Sequence, residues 1–166
     1  MKDLLDDIDA PDLAVSGVTA DSRKVQRGDL FFAIPGQRVH GEVFAETAAT
    51  AGAVAMVTDR TPPRDPGIPV VVVGDSRAAY ARAAAKWFEP LPATMAAVTG
   101  TNGKSSIVAF VRQIWAAAGL SAASVGTVGI ETDAGLQAGE LTTPDALDLA
   151  RELGGLATRG ISHVAL

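Results

Sequence analysis

The residues best suited to chemistry lie together in the segment VTGTNGKSS, Val98–Ser106. An apolar run precedes the glycines, and a lysine and hydroxyl residues follow where a helix is predicted to begin. Glycines let the backbone approach an anion closely, and the N–H groups at a helix N-terminus point towards a phosphate. The pattern indicates a nucleotide-phosphate loop, in which Lys104 would contact the β- and γ-phosphates and the Ser105 hydroxyl would help to hold Mg2+.

One position departs from the general phosphate-loop pattern. GxxxxGK[ST] would need glycine at position 98, where the chain has Val98. In the alternative interpretation, Gly100 and Gly103 only shape a turn between a strand and a helix beside an exposed lysine. The predicted strand Thr94–Thr99 and the predicted helix Ser105–Ala118 supply the context that favours phosphate binding.

The elements around this loop are predicted to form two α/β units. Pro90 and Pro92 end a helix and stiffen the connection, so the boundary is expected there, with domains at residues 1–90 and 91–166. In the first domain, the predicted strands are Val15–Val18, Asp29–Ile34, Ala53–Val57 and Val70–Val73, and the predicted helices are Val43–Ala51 and Arg77–Glu89.

Local signals refine these elements. The successive valines of Val70–Val73 are stiff at χ1 and favour an interior strand. Asp75 or Ser76 is expected to cap the helix that follows. In the second domain, the predicted elements are a strand at Ser121–Ile130, a polar turn region at Asp133–Gly139, a helix from Pro144 to about Ala157 capped by Thr143, and a strand at His163–Leu166.

Composition excludes several classes of protein. A formal net charge of -5 and a pI near 4.9 remove the basic surface that nucleic-acid binding needs. The chain has no cysteine, which excludes disulfides and thiolate chemistry. The acidic start lacks the pattern of a signal peptide, and no apolar run reaches the roughly 18 residues of a membrane span. We therefore expect a cytoplasmic protein without membrane insertion; its oligomeric state is left open.

Three ordered segments resemble the Mur ligase family. GTNGKS, from Gly100, is similar to the nucleotide loop GT(N/K)GK(S/T) of Mur ligases and folylpolyglutamate synthases, which accounts for Val98. TADSRKVQRGDLFFAIPG, Thr19–Gly36, resembles the signature of the family's UDP-binding domain. LTTPDALDL, Leu141–Leu149, resembles the TTP(D/E) segment of the member that adds the third amino acid of the peptidoglycan precursor.

The resemblance implies an α/β fold: a small UDP-binding domain followed by the start of a P-loop-type, parallel-sheet ATPase domain. It implies an ATP- and Mg2+-dependent ligase in peptidoglycan synthesis, which forms an amide between UDP-MurNAc-L-Ala-D-Glu and a diamino acid through an acyl phosphate. The diamino acid is expected to be meso-diaminopimelate, with lysine as the alternative. The residues that would bind the nucleotide are Gly100, Thr101, Asn102, Gly103, Lys104, Ser105 and Ser106, with Lys104 also catalytic and Ser105 at the metal.

The same resemblance implies substrate contacts. Ser22 would contact the uridine part, the loop Gln37–Val39 would add uridine-nucleotide contacts, and Thr142 and Thr143 would bind the MurNAc-dipeptide part. Two of these have a plainer interpretation: a helix cap for the threonines, and a turn with an Asx hydrogen bond for the segment around Ser22. His40 is expected to be a solvated turn residue, and His163 to be structural.

The resemblance also implies that family parts required for catalysis follow position 166: a glutamate that binds magnesium, a carbamylated lysine and a domain that binds the amino acid. We therefore expect this chain alone to be inactive in ligation, and its second half to expose an apolar helix face. The alternatives are a ligase that adds alanine, D-glutamate or the terminal dipeptide, a folylpolyglutamate synthase, and a module that binds a UDP-sugar or ATP without chemistry.

Overall fold

A computed structural model describes residues 1, 4–5, 11–137 and 145–166. Within them the chain forms two compact units, Met1–Trp87 and Phe88–Leu166. The division falls just before the prolines that predict a boundary. The assignment of a uridine-binding and an ATP-binding role to the two domains stays a prediction.

The first unit contains a four-stranded, fully parallel sheet in the order β1-β2-β3-β4. A short 3-10 helix and helix α1 connect β2 to β3, and helix α2 follows β4. The strands are β1 Gly17–Thr19, β2 Asp29–Ala33, β3 Ala55–Thr58 and β4 Val70–Val72; the 3-10 helix is Gly41–Phe44, and the α-helices are α1 Ala45–Ala51 and α2 Ser76–Trp87.

Both faces of this sheet are covered, which is why β2 reads as a continuous apolar run. On one face, Phe31 packs in a cluster with Met56 and with Ala48 of α1. On the other, the Phe32 ring lies 5.2 Å from that of Tyr80 in α2. Phe31 and Phe32 are fully buried, and burying one such side chain stabilises the fold by roughly 1.5–3 kcal/mol.

The prediction that the four valines form an interior strand was wrong. In the described part of the chain, β4 pairs with β3 alone and forms an edge of the sheet, and Val72 is 52% exposed. The helix that follows returns towards β1 and β2, so no further strand is added beside β4. The predicted cap is confirmed at Asp75, whose carboxylate accepts from the amide of Ala78 at 2.9 Å.

The second unit contains a five-stranded mixed sheet in the order β5-β9-β6-β7-β8. The strands β5, β9 and β6 are parallel, whereas β6, β7 and β8 form an antiparallel meander. The strands are β5 Thr94–Ala96, β6 Ala122–Gly126, β7 Gly129–Thr132, β8 Gly135–Gln137 and β9 His163–Ala165, and the helices are α3 Lys104–Ala117 and α4 Ala146–Thr158.

The prediction of one strand over Ser121–Ile130 was wrong. A two-residue turn between Gly126 and Gly129 splits the segment into the hairpin β6-β7, and Gly129 has a φ of 122°. Glycine tolerates that backbone conformation because it lacks a Cβ atom. The region predicted as a polar turn contributes the short strand β8.

Helix α4 begins later than predicted. Asp145 is its N-cap and accepts from the amides of Leu147 and Asp148 at 2.8 and 2.9 Å. Thr143 and Pro144, the predicted cap and the predicted first helical residue, lie outside the described residues, and the cap of the described helix is Asp145. No helix in the described ranges is long and apolar enough to cross a membrane.

Candidate functional site

The predicted phosphate loop connects β5 to α3. After β5 the amide of Val98 donates to the carbonyl of Leu166 at 2.7 Å, next to the parallel strand β9. The chain then passes through Gly100, with a φ of 147°, and Gly103, with a φ of 79°, before α3 begins at Lys104. The loop therefore leaves the carboxyl end of a parallel strand, where α/β sheets bind ligands.

The loop is open to solvent. Residues 99–107 are all exposed, and a Cβ atom on Gly103 would meet nothing within 4 Å. In the described chain, no backbone hydrogen bond to the amides of residues 101–104 is formed. The Lys104 ammonium group bends back to donate to the carbonyl of Gly100. Free amides, small residues and a cation thus share one surface, which suits a phosphate group.

A second candidate site lies in the first unit. A cavity of about 430 Å3 is formed by the loops that follow β1 and β2. It brings together Ser22 and the loop Gln37–Val39, the two segments that the sequence predicts to contact a uridine nucleotide. The remaining lining residues are Ala20, Asp21, Arg23, Ile34, Gly36, Gly41 and Phe44.

The turn beside this cavity is held by Asp21. Its carboxylate accepts from the backbone amide of Arg23 at 3.0 Å, which is the predicted Asx hydrogen bond, and from the Arg23 guanidinium at 2.8 and 2.7 Å. The hydrogen bond to the Arg23 side chain lowers the pKa of Asp21 from 3.8 to about 2. Asp21 is therefore occupied by its own turn, and Ser22, half-buried between them, lines the cavity.

Thr142 and Thr143 lie outside the described residues. Among the residues that are described, no group of three or more histidine, aspartate or glutamate side chains could hold a metal ion. Of the predicted metal ligands, Ser105 occupies the second position of α3 and is exposed.

Two family descriptions match consecutive parts of the chain. "Mur ligase family, catalytic domain" matches residues 14–91, and "Mur ligase middle domain" matches residues 98–166. The first range contains the cavity, and the second contains the loop. The chain belongs to the Mur ligase family. This confirms the predicted resemblance to the family. The α/β fold class is confirmed with it, with one fully parallel sheet and one sheet that is parallel at β5, β9 and β6.

Two curated proteins similar to this chain are both named UDP-N-acetylmuramoyl-L-alanyl-D-glutamate--2,6-diaminopimelate ligase. The protein of Chelativorans sp. (strain BNC1) is 45% identical over 157 residues, which are 95% of this chain and 32% of that protein. The protein of Bradyrhizobium diazoefficiens is 46% identical over 153 residues, or 92% of this chain and 31% of its own length. The chain thus spans about a third of the length of these relatives.

Solved Mur ligase structures share the fold. One entitled as a structure of the same diaminopimelate ligase has a TM-score of 0.72 and 27% identity, over 92% of this chain and 32% of that one. A MurF ligase from Thermotoga maritima, in complex with ADP, has a TM-score of 0.54 and 20% identity, over 95% of this chain and 33% of that one. At that identity the second comparison supports the fold alone.

The prediction for His40, which lies next to the cavity-lining residues Val39 and Gly41, was wrong. His40, predicted to be a solvated turn residue, has a side chain only 6% exposed, and its Nε2 lies 2.7 Å from Oδ1 of Asp59. The glycine beside His40 indicated a solvent-exposed loop. Asp59, the hydrogen-bond partner that buries the side chain, lies nineteen positions away at the end of β3 and could not be identified from the local sequence. His163 is partly buried against Trp115 and Ser162, in agreement with a structural role.

Proposed function

We propose that this chain forms the uridine-nucleotide-binding and phosphate-binding parts of an ATP-dependent ligase of peptidoglycan synthesis. The ligase would join 2,6-diaminopimelate to UDP-MurNAc-L-Ala-D-Glu, as the names of the relatives state for those proteins. A cytoplasmic location fits this proposal. The observation that carries it is the open glycine loop at the start of α3, in a chain 45% identical to such a ligase over 157 residues.

The loop fits the phosphates of ATP with Mg2+. A φ of 79° at Gly103 turns the chain into α3 without a side chain in the way, which leaves the first-turn amides accessible to an anion. Lys104 would exchange its contact with the Gly100 carbonyl for the phosphate oxygens. The Ser105 hydroxyl offers an oxygen ligand of the kind that Mg2+ prefers. ATP would supply the phosphoryl group that activates the substrate carboxylate.

The remaining work of these residues is positioning and charge neutralisation. Thr101, Asn102 and Ser106 would add backbone amides around the phosphates. Ser22 and the loop Gln37–Val39 would bind the uridine nucleotide in the first unit. Thr142 and Thr143 are proposed as contacts to the dipeptide part on the resemblance alone.

Calorimetry on the chain tests both sites separately. The wild-type chain should bind Mg-ATP and UDP independently. Lys104→Ala should weaken Mg-ATP binding about tenfold or more, since a lost hydrogen bond between charged groups has an effect of that size, and should leave UDP binding unchanged. Ser22→Ala should weaken UDP binding and should leave Mg-ATP binding unchanged.

Lys24→Ala is the matched control, because it removes the same charge from an exposed lysine of the first unit, outside the loop segment. Equal ATP affinities of Lys104→Ala and Lys24→Ala would contradict the proposal. A chain that binds UDP but never Mg-ATP would instead favour the alternative of a nucleotide-sugar-binding module.

A further inference from the structure

The loop Gln37–Val39 has a closed base. The amide of Gly36 donates to the carbonyl of Val39 at 3.1 Å, and Pro35 and His40 form an isolated antiparallel bridge. The amide of Gly41 donates to the carbonyl of Ile34 at 2.9 Å. These bonds join the two ends of the loop to each other. Because Ile34 directly follows β2, they also join the loop to the end of that strand.

The His40 side chain ties the same loop to a second strand, β3. Its Nδ1 accepts from the amide of Glu42 at 3.2 Å, so Nδ1 carries no proton in this arrangement. The proton is therefore on Nε2, which donates to Oδ1 of Asp59 at 2.7 Å. Since Asp59 directly follows β3, one imidazole joins the end of the loop to the end of a central strand.

Two further charged residues, Arg60 and Glu42, lie beside the imidazole and Asp59. The Nε atom of Arg60 lies 3.8 Å from Oδ1 of Asp59, and its Nη1 lies 3.6 Å from Oε1 of Glu42. Glu42 Oε2 is 3.9 Å from His40 Nδ1 and, in the described part of the chain, has no hydrogen-bond partner. Asp59 and Glu42 are 21% and 13% exposed, so the bonds to His40 are largely shielded from water.

We propose that His40 is a positioning residue, which orients the loop Gln37–Val39 for the ligand of the adjacent cavity through its hydrogen bond to Asp59. The proposal rests on the proposed function, in which that ligand is a uridine diphosphate derivative. The plainer role would be to cap the 3-10 helix Gly41–Phe44 through Nδ1. The two roles use different atoms of one side chain and can be separated.

His40→Asn separates them. Asparagine is a good N-cap and can still accept from the amide of Glu42, but its shorter side chain cannot also donate to Asp59. Asp59→Asn is the conservative partner, because its amide oxygen can still accept from Nε2. Asp59→Ala removes the acceptor. Positioning through Asp59 predicts that His40→Asn and Asp59→Ala behave alike and that Asp59→Asn resembles the wild-type chain.

Two measurements on the whole chain decide the matter. Amide NMR of the free protein should show changed shifts at Gln37–Val39 in His40→Asn and Asp59→Ala, with the signals of the first unit's core at Phe31 and Met56 unchanged as evidence that this unit is folded. Calorimetry with UDP should show about tenfold weaker binding in the same two variants, and unchanged binding of Mg-ATP.

The outcomes distinguish this inference from the proposed function. Loop shifts and UDP affinity that match the wild type in His40→Asn would overturn the positioning role and leave a capping role. A wild-type chain that does not bind UDP would overturn the uridine part of the proposed function. The loop shifts of the two variants would then still support or refute the orientation of the loop by His40.

Discussion

At the scale of single residues, the ion pair between Asp21 and Arg23 gives a direct test of the turn beside the cavity. Removing the guanidinium in Arg23→Gln should raise the pKa of Asp21 from about 2 towards 3.8, because the Arg23 side chain is the main cause of the lowered value. Carbon NMR of the carboxyl group across pH 1.5 to 6 would measure the change.

The sign of the pH dependence follows from the same shift. A carboxylate with a lowered pKa in the folded protein adds stability above its unfolded pKa, and this is lost as the pH falls through the folded value. For Asp21 that window runs from about 4 down to about 2. Lys24→Gln is the control, since Lys24 contributes the smallest of the causes that lower this pKa. An equal rise in both variants would contradict the assignment.

Some residues of the two candidate sites could be predicted from the sequence, and others could not. The glycines and Lys104 of the phosphate loop lie in one short segment, so their spacing alone indicates a phosphate-binding loop. Ser22 and Gln37 are brought to one cavity by parallel strands; the family signature pointed to Ser22, and the family's placement of further contacts after Gly36 pointed to Gln37. The burial of His40 could not be predicted, because it depends on Asp59, which follows a different strand.

At the scale of elements, α4 contains two adjacent glycines with opposite surroundings. A Cβ atom on Gly154 would lie 2.3 Å from the backbone carbonyl oxygen of Phe88, whereas one on Gly155 would meet nothing within 4 Å. Gly154→Ala should therefore destabilise the second unit by about 1–3 kcal/mol through overpacking. Gly155→Ala should stabilise it by up to about 1 kcal/mol, because alanine favours a helix.

Urea unfolding, followed by circular dichroism, measures both variants under identical conditions. The pair is its own control, since the same substitution is made one position apart in the same helix. If Gly154→Ala unfolded at the same urea concentration as Gly155→Ala, the close approach of α4 to Phe88 would not be present in solution.

Elements were predictable where local patterns decide them. The helix after the phosphate loop has a glycine start and ends before Gly119, and its bounds are those predicted to within one residue. The hairpin β6-β7 was missed because its turn, Thr127 and Val128, is not made of typical turn residues and the glycines flank it. The edge position of β4 depends on where α2 packs, which four valines do not encode.

At the scale of the whole chain, the two units differ in how well their apolar faces are covered. The sheet of the first unit has a helix on each face, whereas α3 of the second presents an apolar stripe to solvent. The stripe consists of Ile107, Phe110 and Ile114, which are 48%, 61% and 66% exposed. Their spacing places them on one side of the helix, opposite Val108 and Arg112, which are buried. An exposed apolar helix face was predicted for this unit.

Such a stripe should make the chain self-associate, because contiguous exposed apolar surface is removed from water on contact. The double substitution Phe110→Gln with Ile114→Gln replaces two of its members with good helix formers. In sedimentation velocity at increasing concentration, the wild-type chain should show a growing associated fraction and the double variant a much smaller one. Val128→Gln, which changes an apolar residue that is 69% exposed in the turn of the β6-β7 hairpin, should associate like the wild type. Equal association of all three chains would show that the stripe on α3 does not drive it.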